Sequence, residues 1–162
     1  MPKPQGKYGL QFTGIAELVR GLDHDGNVWK RGRAAGIKAI TDNSEHLLGK
    51  AMQVVPLDEG TLEGTGNVII TANGRRVGGA TAVGVIEGTP AISERQVATP
   101  GTGDAIVGQV GFNTPYAEVQ HERLDFNHAE GRTAKYLENP LKEHADLYQK
   151  HVEGELRKAL AR

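Results

Sequence analysis

The chain has 162 residues, of which 38% are apolar and 24% charged, with a formal net charge of -1 and no cysteine. That length suits one domain able to bury a core, the charge balance leaves no electrostatic footprint for nucleic acid or an anionic surface, and the missing thiols exclude disulfides and thiolate metal sites. Aromatics make up only 5% against 22 glycines, so turns and loops around a modest core are expected. No apolar run approaches the ~20 residues of a membrane span, and MPKPQGKYGL lacks the apolar stretch of a secretory signal, so a soluble protein made in the cytoplasm is expected.

Residues 1–12 read as an N-terminal arm ending in a strand, because Tyr8, Leu10 and Phe12 alternate. Thr13 is placed to cap a short helix through Leu22, and Asp23-His24-Asp25-Gly26 forms a turn that lacks the ligand spacing and closing glutamate of a calcium loop. From Asn27 to Val55 the apolar residues recur every three or four positions: Trp29, Ile37, Ile40, Leu47, Leu48, Ala51 and Val54. This predicts a helix on the order of 40 Å long, capped by Asn27 and stopped by Pro56, with a kink or break near Thr41-Asp42-Asn43-Ser44. A helix of that length must lie across a sheet or against another chain to bury its stripe. The densest basic cluster, Lys30, Arg31 and Arg33, falls here. It reads either as the solvated face of the helix or as a contact for an acidic partner or a phosphate backbone.

The middle third reads as strands: Gly66 to Ala72 and Arg75 to Ile86, joined by the hairpin signal Asn73-Gly74, then Asp104 to Phe112 with Ile106, Val110 and Phe112 on one face. Between them, residues 87–103 (EGTPAISERQVATPGTG) form a long loop whose length predicts disorder or a binding role; its charged pair Glu94 and Arg95 are interface candidates. Residues 140–161 predict a terminal helix capped by Asn139-Pro140, with Leu141, Ala145, Tyr148, Val152, Leu156 and Ala159 in one stripe. The fold class expected is α+β: a single domain with an antiparallel sheet of about four strands, flanked by a long N-terminal and a long C-terminal helix.

The segment between sheet and terminal helix, Asn113 to Leu141, fits neither period. Tyr116, His121, Phe126 and His128 fall in quick succession between the turns Asn113-Thr114-Pro115 and His128–Gly131. Tyr and Phe beside Arg123 are what interface centres favour, so Tyr116, His121, Glu122, Arg123 and Phe126 are interface candidates. The plain alternative is that Tyr116 and Phe126 close one end of the sheet against the terminal helix. His121, Glu122, Asp125 and His128 are the only dense set of metal-ligand types, but Asp125 stands where zinc-protease spacing requires histidine. Ser44 and Ser93 have no nucleophile-elbow context, and neither a P-loop nor a dinucleotide fingerprint is present. No catalytic residue, metal or cofactor is expected.

Three stretches carry a family resemblance. Pro56-Leu57-Asp58-Glu59-Gly60-Thr61-Leu62 follows the long helix and is similar to a Pro-x-Asp-x-Gly-x-Leu turn. Tyr116-Ala117-Glu118-Val119-Gln120-His121-Glu122 resembles a Tyr-Ala segment followed by an aromatic or His and an acidic residue. Gly131 to Leu141, GRTAKYLENPL, resembles a Gly-x-x-Lys-Tyr-Leu-x-x-Pro entry into a terminal helix. In that order they resemble the neck or tail-completion family of tailed bacteriophages, often labelled minor capsid or head–tail joining proteins. Gly64 departs from the family, which tends to a small hydroxyl residue there, and the 87–103 loop has no clear counterpart.

The resemblance implies a structural virion protein of the neck, joining head and tail as a homo-oligomeric ring around the DNA channel. Its implied partners are further copies of itself, other head–tail connector or tail-tube proteins, and passing DNA without specific binding; it implies no cofactor, catalysis or membrane. A near-neutral subunit suits a channel through which DNA slides. A different class of function, a non-catalytic cellular binding module using the 113–141 segment, predicts no ring, and a metal-dependent enzyme using His121 and His128 predicts bound metal.

Overall fold

The computed structural model describes residues 8–12, 26–56, 61–81, 105–112, 114 and 116–161. The short helix expected from Thr13, the turn at 23–25, most of the Pro56–Leu62 turn, the end of the second hairpin strand, and the 87–103 loop with Glu94 and Arg95 lie outside these residues.

The described elements are β1 (Tyr8–Phe12), α1 (Asn27–Val54), α2 (Thr61–Gly64), β2 (Gly66–Ala72), β3 (Arg75–Thr81), β4 (Ile106–Phe112), α3 (Ala117–Glu122) and α4 (Glu138–Leu160). The class is α+β, with a long helix early and another at the end. β2 is central in an antiparallel sheet, pairing with β3 on one side and β4 on the other, and β1 runs along the far edge of β4. Asn73 and Gly74 take φ of 52° and 72°, the left-handed pair that a tight two-residue hairpin requires, and both are residue types that adopt it readily. Val77 is an extra residue in β3: Ile70 faces Gly78 while Thr71 faces Arg76, so the strand bulges between them.

α1 lies between the sheet and α4, and this explains its composition. Ile40 and Leu48 face the sheet, approaching Gly108 and Gly66, while Asn43 and His46 face α4. A helix covered on both sides needs small residues, and Gly32, Gly36, Ala39, Ser44 and Ala51 are all buried along it. The helix runs unbroken through 41–44, where a kink was expected. Thr41 and Ser44 donate their hydroxyls back to the carbonyls of Ile37 (2.8 Å) and Ile40 (2.7 Å), and Asn43 Nδ2 donates across to Tyr148 O at 3.1 Å. With each polar side chain satisfied, nothing competes with the helical backbone bonds.

The helix ends also differ from expectation in detail. Gly26, in the left-handed conformation, occupies the N-cap position of α1, and Asn27 is its first helical residue. α4 begins at Glu138 rather than Pro140, which places the proline within the first turn, where its missing N–H has no intrahelical partner to lose. Of the predicted α4 stripe, Tyr148 and Val152 are buried and Leu141 and Leu156 pack partly against the core, but Ala145 is exposed. Among the described residues no helix is long and apolar enough to cross a membrane.

α1 carries no basic residue in its last turn, so its terminal carbonyls are satisfied from elsewhere. Arg132 Nη1 donates to both Met52 O and Val55 O at 2.9 Å, and Thr133 N donates to Val54 O at 2.9 Å. The guanidinium also places positive charge at the negative end of the helix dipole. These bonds dock the 123–137 segment onto the end of α1 and so position the candidate site.

Candidate subunit interface

The 116–137 segment divides into a buried frame and an exposed ridge. The frame begins with α3, a short helix where no regular structure was expected; six residues are too few to display a period in the sequence. Ala117 and His121, four apart, point inward. Tyr136 holds them: its hydroxyl donates to Ala117 O at 2.8 Å, and its ring stands edge-on to His121 (4.8 Å) and Phe112 (5.2 Å). Lys135 N donates to His121 O at 2.8 Å, with Lys135 in the left-handed conformation at φ 56°. The Lys135 ammonium also bridges Glu122 and, at 3.2 Å, Glu138. Lys142 and then Lys135 hold the Glu138 carboxyl below its ordinary range.

His121 is thus part of the frame, only 3% exposed, with Nδ1 2.7 Å from Glu122 Oε1. Burial pushes its pKa down, and the Glu122 carboxylate opposes this only in part. His121 is therefore neutral in the native state near neutral pH, while the unfolded chain protonates it near ~6.5. As pH falls through that value the unfolded state binds more protons than the native one, so stability is highest above it and drops on acidification. Burial lowers the pKa of His46 as well, in the same sense. Urea unfolding should show stability falling between about pH 7 and pH 5, with a shallower dependence in His121→Gln; an unaltered slope in that variant would count against a buried neutral imidazole.

The ridge is what remains outside. Tyr116 is half-buried against the core, while Phe126, also half-buried, is covered by Arg123 rather than by the core. Arg123 donates through Nε and Nη2 to both oxygens of Asp125 (3.0 and 2.5 Å) and lays its guanidinium 4.6 Å from the centre of the Phe126 ring. This local clasp shapes 123–126 into a fixed turn. It turns Leu124 outward, 77% exposed, and Val119 on the outer face of α3 is 46% exposed. Neither was singled out from sequence, where Leu124 reads as one apolar residue among charges. The metal-ligand types are dispersed: Asp125 is held by Arg123, His121 is enclosed, and His128 lies edge-on to Phe126 at 6.4 Å. Among the described residues no group of three or more histidines or carboxylates is placed to hold a metal ion. The basic cluster lies far along the chain on α1, where Lys30 and Arg31 are exposed and Arg33 is half-buried.

No protein-family model matches the chain, and no curated protein or solved structure was found similar to it.

Proposed function

We propose that this chain is a structural subunit of the tailed-phage neck, a head–tail joining or tail-completion protein that acts by forming contacts around the DNA channel. The observation that carries it is the pair Val119 and Leu124, exposed apolar side chains on a frame anchored by Tyr136 and Arg132, with the half-buried Phe126 beside Leu124 in sequence. Large apolar side chains fixed in solvent by hydrogen bonds and an ion pair are a feature of contact surfaces. The three motif stretches in family order and the near-neutral charge support the same reading, with other copies of the chain and neighbouring connector or tail-tube proteins as partners.

Size-exclusion chromatography with light scattering tests it. The wild-type protein is expected to form multimers, alone or on mixing with tail particles. Leu124→Asp should abolish assembly with an unchanged melting temperature, because that side chain is exposed, whereas the double variant Glu122→Ala with Arg123→Ala, which also removes partners of His121, Lys135 and Asp125, should abolish assembly with a lowered one. A wild-type protein that stays monomeric and does not join tail particles would overturn the proposal, as would normal assembly by both variants.

A further inference from the structure

Where the N-terminal half of α1 meets the C-terminal end of α4, the helices leave an open cleft of about 380 Å³. Its floor is Ala34 and Ala35 of α1 with Ala159 of α4, and its rim carries Arg31, Lys38, Lys158 and Glu155. The small side chains leave the space between the helices unfilled here, and three cations stand against two carboxylates, Glu155 and the Asp42 that pairs with Lys38. Glu155 lies 2.8 Å from Lys158 and 3.7 Å from Lys38, and Lys38 also pairs with Asp42 at 2.6 Å. Arg31 is exposed and, among the described residues, has no ion-pair partner. The cleft therefore combines an alanine floor, a free guanidinium suited to bidentate carboxylate binding, and two ammonium groups sharing one carboxylate.

We infer that this cleft docks an acidic peptide segment of a partner protein, with one carboxylate on Arg31 and a second near Lys38 and Lys158. Arg31 and Lys38 are two helical turns apart, about 10 Å. That spacing matches carboxylates seven residues apart on a helix or three apart on an extended strand. A peptide is favoured over a nucleic-acid backbone because the alanine lining offers contact to aliphatic side chains, which a phosphate backbone does not carry. Proximity to the basic end of α4 adds Arg157 to the local field. The cleft is built from α1 and α4 alone and does not include the Leu124 ridge, so it stands independently of the connector proposal.

Fluorescence anisotropy on the full-length protein tests it, using a labelled alanine-based helical peptide with two glutamates seven residues apart and its glutamine counterpart. The glutamate peptide is expected to bind at least tenfold more tightly than the glutamine one and to weaken as salt rises. Arg31→Glu with Lys158→Glu should lose that preference, while the milder Arg31→Gln with Lys158→Gln should weaken it; both pairs are exposed, and unchanged melting and unchanged oligomeric state separate this result from any failure of the ridge. Equal binding of the two peptides, equal binding by wild type and both double variants, or tighter binding of a short DNA duplex with the same dependence on Arg31 and Lys158 would each overturn the inference.

Discussion

Tyr136→Ala is expected to lower stability by about 3–5 kcal/mol, the range for removing a fully buried aromatic ring. The side chain is 1% exposed, its ring contacts both His121 and Phe112, and its hydroxyl is bonded to Ala117 O. Truncation would open a cavity between the sheet and α3 and remove the second donor to the Ala117 carbonyl, which also belongs to the helix's own bonding. Tyr136→Phe keeps the ring and removes only the donor, so its cost should be about 1–3 kcal/mol. Chemical denaturation of the two variants separates packing from hydrogen bonding. Because Tyr136 anchors the frame beneath Leu124, Tyr136→Ala should also impair assembly, and here with a lowered melting temperature, unlike Leu124→Asp. A wild-type melting curve for Tyr136→Ala would show that the segment is not anchored this way.

Gly108→Ala should cost about 1–3 kcal/mol although it adds a single methyl group. A Cβ at Gly108 would overlap Ser44 Oγ and stand 2.9 Å from Ile40 Cγ2, so α1 must lift from the sheet or both side chains must move. Gly108→Val should be more damaging, because its branches meet the same wall. The steric cause can be isolated: in a Ser44→Ala background the hydroxyl oxygen is gone, and the penalty of Gly108→Ala should shrink, giving a coupling of about 0.5 kcal/mol or more in a double-mutant cycle. Additive effects would locate the cost elsewhere than in the contact between α1 and β4.

Which parts of this structure could be read in the sequence follows from the range over which each signal acts. The Asn73-Gly74 hairpin, the extent of α1 and the Tyr148–Val152 core of the α4 stripe were legible because turn chemistry and helical periodicity are properties of neighbouring residues. The misreadings were local signals overruled by distant partners. Asn43 and Ser44 look like a break in α1, yet one is bonded to α4 and the other sits over Gly108. His121 reads either as an interface residue beside Glu122 or as a partly buried histidine packed against Tyr116 or Phe126, and the ring that encloses it is instead Tyr136, fifteen positions on. Tyr116 packs against the core, one of the two readings its sequence allowed, which leaves Arg123 at the surface with Leu124, a residue without any distinguishing pattern of its own.

By itself the sequence determined that two long helices and an antiparallel hairpin would form, since capping, φ preference and apolar spacing act within a few residues. It also set the chemistry available: no thiols, a near-neutral charge, and a cluster of cations early in α1. Only the tertiary structure decided that α1 would be covered on two sides, that Arg132 would cap its distant end, and that Arg31 and Lys158 would line one cleft. Those pairings join residues about eighty or more positions apart in the chain. They depend on which faces are left over once the sheet has taken its share of α1, and no local pattern records that choice.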